Sequence, residues 1–141
     1  MPKDVYLQPG APDPVLTAAT VLGLVQRHVP GARAVTGVDE SGGEARTYLV
    51  DEGLVLKSQR PHRLRPRTSL AKEVAFLRHL AAFPAIPVPH VLGYGQADDI
   101  EYVCMTRMPG DAIIRQSIDG SARARVLHVL GQVLHEIHAV P

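Results

Sequence analysis

The sequence has one cysteine, Cys104, no tryptophan and only two phenylalanines. One cysteine excludes an intramolecular disulfide and a zinc site built from several thiolates. No apolar run approaches the ~20 residues of a membrane-spanning helix. Residues 1–10 lack the apolar stretch of a secretory signal. An excess of charge is missing too. Fifteen basic residues stand against 14 acidic ones, a net charge of +1, so nothing chain-wide attracts the protein to nucleic acid or to an anionic membrane. The expected location is the cytoplasm. What is present is a globular balance, 45% hydrophobic and 21% charged over 141 residues. That is the length of one domain with one core.

Pro2, Pro9, Gly10 and Pro12 make residues 1–13 a loose arm. Asp13-Pro14 reads as an N-cap followed by a first-turn proline. Val15, Ala18, Ala19, Leu22 and Val25 then repeat at helical spacing up to Pro30-Gly31. From Ala34 to Ser58 the pattern is that of short strands: 34–38, 46–50 and 54–58, separated by Glu40-Ser41-Gly42-Gly43-Glu44 and by the turn Asp51-Glu52-Gly53. Such short links predict an antiparallel meander. A basic, proline-broken loop, 59–67, leads to a helix capped by Thr68 or Ser69 and running to about Ala82, with Leu70, Val74, Leu77 and Ala81 on one stripe. Pro84, Pro87 and Pro89 make 83–90 an extended connector. Two further strands, 91–95 and 101–105, flank the turn at Ala97-Asp98-Asp99. After the break at Met108-Pro109-Gly110, a last helix spans about 121–139, with Val126, Val129, Leu130, Val133, Leu134 and Ile137 at a 3.6 period. Five antiparallel strands with a helix inserted after the third form an α+β layout.

Four places carry chemistry. Lys57 closes an apolar strand, on the same side as Val55. It is either an edge-strand lysine reaching water or a half-buried cation that needs an anionic partner. Glu73 is the only carboxylate of the second helix. It lies beside the stripe of Phe76, Leu77 and Leu80, so Lys57 is its natural partner; the alternatives are an intrahelical pair and a solvated stripe edge. Ser41-Gly42-Gly43 allows backbone N–H groups close to a phosphate, although the same residues make an ordinary hairpin turn. Met105-Thr106-Arg107-Met108 leaves the fifth strand with backbone groups able to read a purine edge, or as a plain loop. No G-x-x-x-x-G-K-[ST] loop and no G-x-G-x-x-G after a strand occurs.

Their order is that of a kinase-like small lobe, and the sequence resembles the aminoglycoside phosphotransferase and choline-kinase-like family. The resemblance is carried by Ser41-Gly42-Gly43-Glu44-Ala45-Arg46-Thr47-Tyr48, Leu54-Val55-Leu56-Lys57, Lys72-Glu73-Val74-Ala75-Phe76-Leu77, Val88-Pro89-His90-Val91-Leu92-Gly93-Tyr94-Gly95 and Cys104-Met105-Thr106-Arg107-Met108-Pro109-Gly110. Leu130-Gly131-Gln132-Val133-Leu134-His135-Glu136-Ile137-His138 looks like the helix leading to the large lobe. The resemblance implies a small lobe over 14–110 and a linker helix over 111–141. It implies ATP as cofactor, with Lys57 on the α- and β-phosphates and Glu73 orienting it. Ser41, Gly42 and Gly43 would cover the phosphates, the Thr106 carbonyl and Met108 N–H would pair with adenine, and Val55 and Met105 would line the purine pocket.

In that family the catalytic Asp and the Mg²⁺ ligands lie on an H-G-D-x-x-x-x-N-like loop and a later strand. No His-Gly-Asp occurs in these 141 residues. The expectation is therefore a fragment, a truncated product or half of a split enzyme that binds nucleotide and does not transfer phosphate alone. Mg²⁺ is expected only with the missing lobe. The competing reading is a non-catalytic nucleotide-sensing or interaction module, which forms a homodimer or binds a second polypeptide through residues 121–139. Arg60, Arg63, Arg65 and Arg67 read as a solvated loop rather than a nucleic-acid surface, since no aromatic stacks among them. His128, His135 and His138 do not form H-E-x-x-H and are assigned to a polar face, not to a metal. Cys104 is expected to be a small core side chain.

Overall fold

The computed structural model describes residues 15–40, 45–59, 70–97, 100–110 and 118–141. Its elements are α1 (Ala18–Gln26), β1 (Val35–Asp39), β2 (Ala45–Val50), β3 (Leu54–Gln59), α2 (Leu70–Leu80), β4 (Val91–Ala97), β5 (Ile100–Thr106) and α3 (Gly120–His138). The strands form one antiparallel sheet in the order β1-β2-β3-β5-β4. This is the expected α+β layout: a meander, an inserted helix, then a hairpin whose second strand returns to the middle of the sheet.

Alternation of side chains gives the sheet two different faces. One carries Tyr48, Val50, Leu56, Tyr102 and Cys104 and is closed by Val21, Leu24 and Val25 of α1. The other carries Ala45, Val103 and Met105 and receives Leu70 and Val74 of α2. Cys104 is fully buried, and desolvation pushes its thiol up to about 11. It is the small core side chain expected.

The start of α1 differs from the expectation at Asp13-Pro14, two residues that fall outside the described set. Val15 to Thr17 are not helical, and Val15 is exposed. Thr17 is the N-cap, its hydroxyl accepting from the Thr20 N–H at 3.1 Å. The residue before it is held by a tertiary bond, the Leu16 N–H donating to the Tyr48 hydroxyl at 3.0 Å. That bond fixes the chain outside the helix, and the buried stripe becomes Val21, Leu24 and Val25 instead of Val15, Ala18, Ala19, Leu22 and Val25.

The 83–90 connector is also not extended throughout. The Phe83 N–H donates to Leu80 and the Ile86 N–H to Phe83, so the chain turns until Ile86 is buried; only then does it run out to β4. Asp51 adopts a positive φ of 48° in the β2–β3 turn. Its carboxylate accepts from the Arg33 and Ala34 N–H groups at 3.1 and 3.0 Å, tying the entry to β1 onto that turn. In α3, Asp119 is the N-cap. Hydrogen bonds from the Ala122 N–H and then the Ser121 side chain hold its carboxyl below the ordinary value. No residue of α3 is buried: Val126, Val133 and Ile137 are half-buried, while Leu127, Val129, Leu130 and Leu134 are exposed.

Gly93 is required by close approach. The His28 ring lies over it, with Nε2 3.1 Å from the Tyr102 hydroxyl, and a Cβ at position 93 would overlap the imidazole. Gly93→Ala is expected to destabilise the fold by about 1–3 kcal/mol, read as a lower urea midpoint. The cost should shrink in the His28→Ala background. An equal cost in both backgrounds would show that the overlap is not its source.

Candidate functional site

The face of the sheet under α2 brings four of the predicted residues together, Lys57, Glu73, Val55 and Met105. β3 lies between β2 and β5, so Lys57 is on the central strand and the edge-strand reading is excluded. Its register partners are Thr47 and Val103. Glu73, on the first turns of α2, reaches down to it: Lys57 Nζ donates to Glu73 Oε2 at 2.7 Å and to Oε1 at 2.9 Å. The pair is partly open, with side-chain exposures of 28% for Lys57 and 34% for Glu73. An ammonium has three donors. Two are spent on the carboxylate, and among the described residues no acceptor takes the third.

Two residues along β3, roughly 7 Å away by strand rise, Val55 begins an apolar row. Val55 pairs with Leu49 on one side and Met105 on the other, and Met105 with Val91. Register partners share a face, so Leu49, Val55, Met105 and Val91 make a continuous apolar strip beside the charged pair. Leu49 was not picked out from the sequence; its signal is its place opposite Val55.

Beyond β5 the chain is anchored at its root. The Thr106 N–H donates to the His90 carbonyl at 3.0 Å, the His90 N–H to Thr106 Oγ1 at 2.9 Å, and the Arg107 N–H to the Gly53 carbonyl at 2.8 Å. Met108 follows, exposed, and its N–H meets no acceptor among the described residues. Ser41, Gly42 and Gly43 lie outside the described residues. The flanks of their connection are clamped: Arg46, almost fully buried, donates from Nε to Glu40 Oε1 at 2.6 Å, meeting the need of a buried guanidinium for an anion.

Sequence comparison bears on this arrangement. A model of a phosphotransferase enzyme family matches residues 36–141. The chain belongs to that family. The match runs from within β1 to past the end of α3, and so includes Lys57, Glu73 and the segment after β5. Comparison with curated proteins gives no match. Among solved structures, one that is similar is described as "Structure of the streptomycin-ATP-APH(2")-IIa ternary complex". It has a TM-score of 0.42 and 17% identity, covering 74% of this chain and 34% of that one. The chain thus spans about a third of the length of that phosphotransferase, and residue roles here rest on this chain's own geometry.

Among the described residues no group of three His, Cys, Asp or Glu could hold a metal ion, and no helix is long and apolar enough to cross a membrane. His128 and His135 lie on the exposed side of α3 with Leu127 and Gly131 between and beside them.

The Lys57–Glu73 pair, open to solvent, is worth little to the fold. A double-mutant cycle with Lys57→Met and Glu73→Gln is expected to give a coupling of about 1 kcal/mol or less in chemical denaturation. A coupling several times larger would mean that the pair is mainly a structural clamp.

Proposed function

We propose that this chain is the nucleotide-binding part of a small-molecule kinase, one that transfers phosphate from ATP to a hydroxyl group. The observation that carries the reading is the Lys57–Glu73 pair: a lysine on a central strand, oriented through two hydrogen bonds by a helix carboxylate, with a donor to spare. A compact ammonium fixed in this way is suited to the α- and β-phosphates. The adjoining strip of Val55, Met105 and Leu49 offers one wall to a planar purine. The Thr106 carbonyl and the Met108 N–H, just past the end of that strip, would read the adenine edge. Ser41, Gly42 and Gly43 would close over the phosphates with backbone N–H groups. Family membership supports phosphoryl transfer as the chemistry.

Phosphoryl transfer further needs a group to orient the acceptor hydroxyl and oxygen ligands for Mg²⁺. No His-Gly-Asp motif stands in the 141 residues to supply them. In the proposal the chain grips the nucleotide, and acceptor orientation comes from elsewhere. A second reading, a nucleotide-sensing or interaction module acting through residues 121–139, is favoured by one observation, the exposed Leu127, Leu130 and Leu134 of α3.

Two outcomes are expected. Mg-ATP raises the melting temperature of the chain and leaves that of Lys57→Ala unmoved; equal shifts, or none in either protein, would count against the nucleotide site. Incubated with Mg-ATP and an aminoglycoside or simple alcohol, the chain alone forms no phosphorylated product, and measurable product would show that it holds its own acceptor-orienting group.

A further inference from the structure

Glu73 meets Lys57 from the first turns of α2, and a side chain of β5 reaches the start of the same helix. Alternation puts Glu101, Val103 and Met105 on the face under α2. Met105 belongs to the apolar strip, and Val103 is the register partner of Lys57. Glu101, next along the same face, points its carboxylate at the end of the helix. Glu101 Oε1 accepts from the Ala71 N–H at 3.2 Å and from the Tyr94 hydroxyl at 2.9 Å. Ala71 is the second residue of α2 and Glu73 the fourth.

The first N–H groups of a helix have no partner within it, and a negative charge there is favoured by the helix dipole. Glu101 supplies an acceptor and a charge from a strand, so this contact also ties the helix to the sheet. Tyr94 steadies the carboxylate. Its ring packs against the Leu70, Val74 and Met105 cluster. Burial first, then the hydrogen bond and charge of Glu101, hold its phenol above the ordinary range.

We infer that Glu101, steadied by Tyr94, is a positioning residue of the proposed nucleotide site: it holds the first turn of α2 over the sheet so that Glu73 engages Lys57. The inference rests on the proposed nucleotide function only for its effect on affinity; the coupling of Glu101 to the Lys57–Glu73 pair is a property of the free chain.

The test uses that independence. The sequence has three lysines, Lys3, Lys57 and Lys72, and Lys72 is exposed on α2, which makes it an internal reference. Limited acetylation with acetic anhydride, well below the melting temperature and read by mass spectrometry, gives the Lys57-to-Lys72 labelling ratio. An ammonium engaged by Glu73 is less available to the reagent. Glu101→Ala is expected to raise the ratio about threefold, the size of effect that an exposed ion pair supports. Glu101→Gln, whose amide oxygen can still accept from the Ala71 N–H, should restore much of the original value. In the same proteins Mg-ATP binding should weaken about threefold or more for Glu101→Ala, as for residues of one network.

A labelling ratio unchanged by Glu101→Ala overturns the inference, whatever nucleotide does. If Glu101→Ala does not fold, Tyr94→Phe, which keeps the ring, decides by the same ratio: a rise supports the inference and no change overturns it. A ratio that rises in a chain that shows no Mg-ATP binding even as wild type upholds the positioning role and sinks the nucleotide reading.

Discussion

The lysine on the central strand of the sheet is met by a carboxylate from the helix that covers that face. The Lys57–Glu73 contact is therefore the point where strand chemistry and helix placement constrain each other. β3 must expose Lys57 on the α2 side, which by alternation also puts Val55 there and sends Leu56 into the opposite core. α2 must sit near enough for a two-oxygen contact, which requires Leu70 and Val74 to be seated on Val103 and Met105. The apolar contacts set the height of the helix and the polar ones its position along the sheet. Because the pair is about one-third exposed, its value to folding is small and its geometry is available to a ligand.

The two faces divide the work. Under α1 the sheet is closed by a dry cluster in which polar groups satisfy one another: Tyr48 with the Leu16 N–H, Tyr102 with His28. Small residues make this tight; Gly93 leaves room for an imidazole ring and Gly95 for the Tyr102 hydroxyl. Under α2 the polar groups include the half-buried pair of Lys57 and Glu73.

The elements of the fold were legible because each carries its own signal: β-formers between glycine-bearing turns, prolines at the breaks, a 3.6 period in the helices. The Lys57–Glu73 pair was legible for a different reason, scarcity, since a lone lysine on an apolar strand and a lone carboxylate on the next helix have few other partners. What escaped was set by tertiary bonds. Asp13-Pro14 has the local chemistry of a helix start, yet a phenol 32 residues away holds Leu16 and moves the cap to Thr17. Glu101 reads as an ordinary polar strand residue. Its role appears only when the β4–β5 hairpin is placed under α2, which no local pattern encodes. Leu49 likewise acquires meaning from register with Val55.

The periodicity of α3 was read correctly as helical, but its apolar residues do not sink into a core. They divide between a half-buried line, Val126, Val133 and Ile137, and an exposed one, Leu127, Leu130 and Leu134. Helices of this kind draw most of their stability from packing an apolar face, and here the end of the chain after α3 meets α2 through a hydrogen bond of His79 Nε2 with the Pro141 carbonyl at 3.0 Å. Among the described residues, the Lys57 ammonium has a donor without an acceptor and α3 has leucines without cover. They differ in what they specify. The ammonium, fixed in direction by Glu73, demands an anion at one point in space. The leucines demand only that whatever covers them be apolar. Chemical direction is therefore found at Lys57, and α3 adds exposed apolar area without direction.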